Sequence, residues 1–361
     1  MHTTLRDAMQ LMRAGDLMAA TAEIQRGLGG ASPAAPVPGG GRPPIDADFR
    51  VIDAVDAPER PQAETRAESG VEPRFIDGRF ACAAGARRYK LFIPSRYRGQ
   101  PLPLVVMLHG CTQAPDDFAR GTRMNSLGEA EGCFVLYPAQ SQDANPSRCW
   151  NWFQPAHQSR EGGEPAIVAG LVRELAATYG LDRERIYVAG MSAGGAMAVV
   201  LGQAYPDLFA AVGAHSGIPY RAAHDMPSAL AAMHARGDRG PLAARSADAP
   251  SPVPTIAFHG DRDTTVSPAN GERIVAAFAA TPASSAGGTE GGRTYTRTVH
   301  TDAQQRVVAE HWVVHGAGHA WSGGDAHGSF TDAGGPDASR EMLRFFLERR
   351  RSGGVPGGQP Q

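Results

Sequence analysis

The sequence predicts an α/β protein, a mostly parallel sheet with helices on both faces. Three observations carry this. Short apolar runs recur between residues 89 and 315, and some are unbroken, as in Leu102-Pro-Leu-Val-Val-Met-Leu-His109; a strand buried on both faces reads this way. Helical stretches fall between these runs. One strand-to-helix junction, Gly190-Met-Ser-Ala-Gly194, also places a serine between glycines at a tight turn.

In chain order, residues 1–28 read as an amphipathic helical segment. Leu5, Met9, Met12, Leu17, Ala20, Ile24 and Leu28 recur at intervals of three to five, and Gly15-Asp16 is a break in the stripe. Such a face packs on the chain's own domain or docks on a partner or surface. Residues 29–75 turn to Ala, Pro, Gly and scattered charge, too little apolar surface to repay ordering, and read as a linker. Residues 76–350 read as the catalytic domain and 351–361, rich in Gly, as a flexible tail.

Strands are expected at Tyr89-Lys-Leu-Phe-Ile-Pro94, Leu102–His109, Cys133-Phe-Val-Leu-Tyr137, Ile186-Tyr-Val-Ala189, Ala211-Val-Gly-Ala214, Thr255-Ile-Ala-Phe258 and Val307–His315. Helices are expected near 164–179, 194–204, 268–280 and 338–349. Residues 221–252 and 281–293 fit no regular element and read as insertions or long loops.

Composition narrows the function classes. Hydrophobic residues at 42% suffice for a sizeable core, and a formal net charge of -2 gives no basis for binding nucleic acid or an anionic membrane. No run of about 18 apolar residues is present, so no membrane span is expected. Arg6, Asp7, Gln10, Arg13 and Asp16 interrupt any export-signal core, and the compartment expected on that ground is the cytoplasm. Four scattered cysteines, Cys82, Cys111, Cys133 and Cys149, suit neither a disulfide scaffold nor a zinc site. No metal or cofactor is expected.

The chemistry centres on Ser192. A nucleophilic serine at a strained turn needs small neighbours, a strand before it and a helix after it, and the helix N-terminus favours developing negative charge. Its hydroxyl needs a histidine to take the proton and a carboxylate to orient that histidine. After Ser192 come His259-Gly-Asp-Arg-Asp-Thr-Thr-Val266 and His315-Gly-Ala-Gly-His-Ala-Trp-Ser-Gly-Gly324, in the order Ser, Asp, His of the α/β-hydrolase fold. Asp263, further into its loop, is the expected acid, and Asp261 a turn cap. His319 is the expected base, with His315 a structural residue at a strand end. Gly316 and Gly318 argue against a helix that would bring both histidines to a metal. Backbone N–H groups of Cys111 and Ala193 are the expected oxyanion donors, and His109 is a brace. No large separate lid domain is expected.

Five blocks, Pro103-Leu-Val-Val-Met-Leu-His-Gly-Cys-Thr-Gln113, Cys149-Trp-Asn-Trp-Phe153, Gly190-Met-Ser-Ala-Gly-Gly195, His259–Val266 and Gly318-His-Ala-Trp-Ser-Gly-Gly324, give residues 85–348 a resemblance to the polyhydroxybutyrate depolymerase-type esterases, relatives of feruloyl and acetylxylan esterases. The resemblance implies Ser192 as nucleophile, Asp263 as acid, His319 as base and Cys111 as oxyanion donor. It implies Trp150 and Trp321 as walls of an apolar acyl cleft, and Cys111 and Cys149 as a disulfide pair near the site. It also implies an extracellular enzyme, against the cytoplasmic expectation.

The leading reading is a serine ester hydrolase acting on short-chain hydroxyalkanoate esters, poly(3-hydroxybutyrate) or its oligomers. A feruloyl- or acetylxylan-type esterase keeps the same machinery on polysaccharide esters. A granule- or partner-binding protein docking through residues 1–28 belongs to a different class. The oligomeric state is not legible in the sequence.

Overall fold

The computed structural model describes residues 72–235, 252–278 and 281–351. The N-terminal segment, nearly all of the linker, and the tail after Arg351 lie outside the described residues, and with them any docking role of residues 1–28.

Ten strands form one sheet in the order β1-β2-β4-β3-β5-β6-β7-β10-β9-β8. Its centre is β3 (Leu104–Leu108), β4 (Phe134–Pro138), β5 (Ile186–Met191), β6 (Ala211–His215), β7 (Thr255–Gly260) and β10 (Val307–Val314). These six pair parallel. Two antiparallel hairpins flank them: β1 (Arg74–Cys82) with β2 (Gly85–Ile93), and β8 (Thr281–Glu290) with β9 (Arg293–Thr301). A short parallel pair, β11 (Trp321–Ser322) and β12 (Thr331–Asp332), stands apart. β1 begins at Arg74, so the first strand reaches just into the span read as linker.

The central strands are buried on both faces because each residue in turn feeds a different core. Leu104, Val106 and Leu108 of β3 join one apolar cluster, and Val105 and Met107 join the other. On the first face pack α3 (Gly163–Thr178), α4 (Ala193–Ala204), α5 (Met226–Met233) and α6 (Ala269–Ala276); on the second pack α1 (Pro115–Thr122), α2 (Met124–Glu131) and α7 (Ala338–Leu347). Strand order reverses at β3: the chain leaves it for β4 on one side and returns to β5 on the other. A ligand crevice is expected outside the C-terminal ends of strands at such a reversal.

Two expectations are corrected. Residues 281–293 are a hairpin, not a loop. Gly291 and Gly292 both have positive φ (55° and 80°), the backbone of a two-residue hairpin turn. Gly288 admits the ring of Tyr295, since a Cβ there would lie 2.5 Å from Tyr295 Oη. The Ala/Ser/Gly composition of β8 lacks apolar alternation because it is an edge strand held by pairing. Likewise, residues 226–233 form a helix within the span read as irregular. Ser228 N–H donates to Asp225 Oδ1 at 2.8 Å and the Ser228 hydroxyl closes the reciprocal cap. Among the described residues there is no separate lid domain, and no helix is long and apolar enough to cross a membrane.

One buried ionic knot pins β10 to β9 and α7. Glu310, 1% exposed, accepts hydrogen bonds from Arg297, Arg344 and the indole of Trp312. Removing one partner of a buried pair strands the others. Glu310→Gln is expected to cost about 3 kcal/mol, at the low end for such losses because both arginines keep some solvent; an unchanged urea midpoint would contradict this.

Candidate active site

The turn after β5 is unusual in its backbone. Ser192 has φ 56° and ψ -120°, a conformation that costs a non-glycine residue about 1–3 kcal/mol. Its N–H donates to His215 O at 2.9 Å, and its carbonyl accepts from Ala196 N–H at 2.9 Å as α4 begins. The flanking glycines are required by contact. A Cβ on Gly194 would lie 2.1 Å from Leu108 O, and one on Gly190 2.4 Å from the Gly194 carbonyl carbon. α4 thus starts hard against the end of β3. Ser192, 7% exposed, lines a small cleft with Gly110, Cys111, Gln113, Met191, His319 and Phe330.

β7 delivers the carboxylate and the loop after β10 delivers the histidine. Asp263 Oδ2 accepts from His319 Nδ1 at 2.7 Å. Asp263 Oδ1 accepts from the backbone N–H of Thr265 and Val266 at 2.9 and 2.8 Å. Burial pushes this carboxyl up, but hydrogen bonds from His259 and His319, with their charge, outweigh burial and hold it far below the usual carboxylate range. Asp263 therefore stays ionised, and His319 Nδ1 is committed to it. Asp261 pairs elsewhere: Oδ2 meets His315 Nδ1 at 2.9 Å and Oδ1 accepts from Gly316 N–H at 2.7 Å. The two histidines thus serve different carboxylates.

The loop after β3 is locked from several sides. Cys111 and Cys149 are joined by a disulfide with an S–S distance of 1.99 Å. Gly110 N–H donates to Gln113 Oε1 at 2.8 Å, and Thr112 N–H to Ser147 O at 2.6 Å. His109 Nδ1 donates to Gly110 O at 2.8 Å and its Nε2 accepts from Gln140 N–H at 3.1 Å, so the ring braces the loop. Behind it lies Glu164 of α3, fully buried, which accepts from Asn151 N and Nδ2 (both 2.8 Å), from Arg87 Nη2 (3.3 Å) and from Gln140 Nε2. Cys111 thus borders the cleft on a rigid loop, and Ala193 directly follows the serine that lines it. Ala193 is the first residue of α4, whose N–H has no partner within the helix.

Residues 87–297, more than half of the chain, match the family model described as Esterase PHB depolymerase. The chain belongs to this family. It is 35% identical over 231 residues to poly(3-hydroxyalkanoate) depolymerase C of Paucimonas lemoignei, covering 60% of this chain and 54% of that one. It is 31% identical over 277 residues to poly(3-hydroxybutyrate) depolymerase of Ralstonia pickettii, covering 71% of this chain and 56% of that one. Feruloyl esterase B of Talaromyces funiculosus is 29% identical over 137 residues, 38% of each chain. The chain spans a little over half the length of the two depolymerases. Among solved structures, an acetyl xylan esterase from Aspergillus awamori superposes with a TM-score of 0.58 at 20% identity, covering 72% of this chain and 94% of that one. That likeness is one of fold, the α/β-hydrolase fold.

In this member of the depolymerase family, the tryptophans are not where the resemblance implied. Trp150 and Trp321 are buried inside the two cores, with 0% and 1% exposure, and neither lines the cleft. Their indole N–H groups are spent internally, Trp150 on His109 O at 3.1 Å and Trp321 on Ser339 Oγ at 3.0 Å. Trp321 also stacks on His215. Both support the loops that carry the site. The large apolar residues that line the cleft are Met191 and Phe330, and Phe330 is the exposed large hydrophobic residue among those described. Nothing in the run Gly328-Ser-Phe-Thr331 marks it in the sequence. Gln113 and Glu164 were also unmarked, since single polar residues carry no spacing signal.

Buried neutral histidines set a pH dependence. Burial, with the charge of His259 and His319, pushes His215 from 6.5 down to about 3. Burial pushes His109 and His311 down to about 4. Below pH 6.5 the unfolded chain takes up protons that the folded chain refuses, so stability falls as pH falls, by about 1.4 kcal/mol per pH unit for each ring. Above 6.5 these rings contribute nothing. The urea midpoint is expected to be flat from pH 8 to 7 and to drop steeply below about pH 6; a flat profile to pH 4.5 contradicts the burial of these rings as neutral groups.

Proposed function

We propose that the protein is a serine carboxyl-ester hydrolase working through an acyl-enzyme on Ser192. The observation that carries this is the hydrogen-bonded Asp263–His319 pair, 2.7 Å apart, whose histidine lines the same cleft as Ser192. Ser192 Oγ attacks the ester carbonyl carbon while its proton passes to His319 Nε2. The carbonyl oxygen becomes an oxyanion held by the N–H groups of Cys111 and Ala193. Collapse expels the alcohol, which takes the proton from His319. Water, deprotonated by the same nitrogen, then releases the acid and restores Ser192. Asp263 holds the ring in the tautomer with Nδ1 protonated and offsets the charge on the imidazolium.

For substrate, we favour short-chain hydroxyalkanoate esters, poly(3-hydroxybutyrate) or its oligomers. The family match and the two depolymerase relatives support this. An acetyl or feruloyl ester of a polysaccharide is the second reading, favoured by the relatives named for those activities. For compartment, the Cys111–Cys149 disulfide supports an oxidising setting outside the cytoplasm, in place of the cytoplasmic expectation.

Ser192→Ala is expected to lower kcat on p-nitrophenyl butyrate by roughly 10⁶-fold with the fold intact by circular dichroism. Asp263→Asn should cost roughly 10⁴-fold through the wrong histidine tautomer. Retention of a tenth of wild-type activity by either variant would sink the assignment. Comparison of hydroxybutyrate oligomers, acetylated xylan and methyl ferulate decides the substrate class, with the highest kcat/KM expected for the oligomers.

A further inference from the structure

A groove of about 620 Å³ opens beside the catalytic cleft, and Gln113 lines both. Its floor is the β1–β2 hairpin, and its rim is formed by the loops after β3 and β4. β2 runs antiparallel to β4, and Ala139, just past the end of β4, donates its N–H to Arg88 O at 2.8 Å. Arg88 therefore sits at the same end of the sheet as Ser192. Three strand spacings separate β2 from β5, about 14 Å.

The groove's charges do not balance. Lys90 is matched by Asp116 at 2.6 Å and Asp77 at 3.8 Å, and buried Arg87 by Glu164 at 3.3 Å. One cross-strand row places Asp77 opposite Lys90, an attractive pair; the next row on the same face places Arg79 directly opposite Arg88. Like charges directly opposite in a ladder are destabilising. Neither guanidinium has a hydrogen bond or ion pair among the described residues, and neither has Arg148 on the far wall. Arg148 precedes the disulfide cysteine Cys149 and is held in the left-handed region at φ 51°, so its backbone is fixed relative to the Cys111 loop. Asp143 is the remaining acid in the groove. Three guanidinium groups without a partner among the described residues thus share with one carboxylate a concavity that has Gln113 in common with the catalytic cleft.

We propose that this groove binds a carboxylate carried by the substrate itself, holding the free-acid end of a short hydroxyalkanoate oligoester while an internal ester bond lies at Ser192. The inference rests on the esterase reading and deepens it. Arginine forks suit a carboxylate, and the pair Arg79–Arg88 is relieved of its repulsion when an anion sits between them. The enzyme would then favour soluble acid-terminated oligomers over capped ones. A uronate on an acidic xylan oligosaccharide offers the same chemistry from another source.

The test compares kcat/KM for the 3-hydroxybutyrate trimer acid and its methyl ester, and for an acetylated xylo-oligosaccharide with and without a glucuronate. The acid trimer is expected to be favoured about tenfold, mainly through KM, the value of one charge-assisted hydrogen bond. That preference should shrink toward one in about 0.5 M salt and in the Arg79→Gln/Arg88→Gln double variant. The salt arm needs no variant, so misfolding cannot mask the result. An acid preference confined to the xylan pair, and lost with the same arginines, keeps the carboxylate site but assigns it to uronates. Equal kcat/KM within both pairs in the wild type, at low and high salt, overturns the proposal and leaves the esterase reading standing. No turnover of any of these esters, nor of p-nitrophenyl butyrate, overturns the esterase reading itself.

Discussion

The close approach of α4 to the end of β3 is the constraint on which the rest depends. Only glycine fits at positions 190 and 194, because a side chain at either would run into backbone atoms of Gly194 or Leu108. That contact lets the chain reverse within one residue and places Ser192 in a conformation few side chains adopt. The strain is repaid by fully buried strands on both sides and by the hydrogen bond to His215 O. It also brings the start of a helix and the loop after β3 to the same cleft, which is what an oxyanion requires.

Around this turn the structure spends buried polarity with care. Asp263 is ionised inside the protein because two backbone N–H groups and two imidazoles face it. His109 and His215 are kept neutral by burial and serve as hydrogen-bonding spacers between loops. Glu164 gathers the loop after β4 and the Trp150–Asn151 segment, so the disulfide loop rests on an ion pair and a helix start. The site is therefore made rigid by charged groups well behind it, and Trp150 and Trp321 belong to that support.

Much of this was legible in the sequence. The strands of the parallel centre announced themselves as unbroken apolar runs because both faces are buried. The sequence places Ser192, Asp263 and His319 after three different strands, and the structure pairs Asp263 with His319 while Asp261 takes His315. Other parts carried no such signal. β8 is held by edge pairing, so its Ala, Ser and Gly residues show no periodicity. The helix capped by Asp225 and Ser228 and the hairpin turning at Gly291-Gly292 lie in spans read as irregular, because neither carries an apolar stripe. Phe330 and the Arg79–Arg88 pair depend on which strands and loops meet, which tertiary contact alone decides.

The proposed role of Ser192 as nucleophile rests on the strained turn that presents it. Peptide mapping by mass spectrometry after treatment with a fluorophosphonate tests it most directly. A single stoichiometric adduct is expected on the peptide containing Ser192, and prior unfolding in urea should abolish it. An adduct on a different residue, or none on the folded protein, would contradict the account.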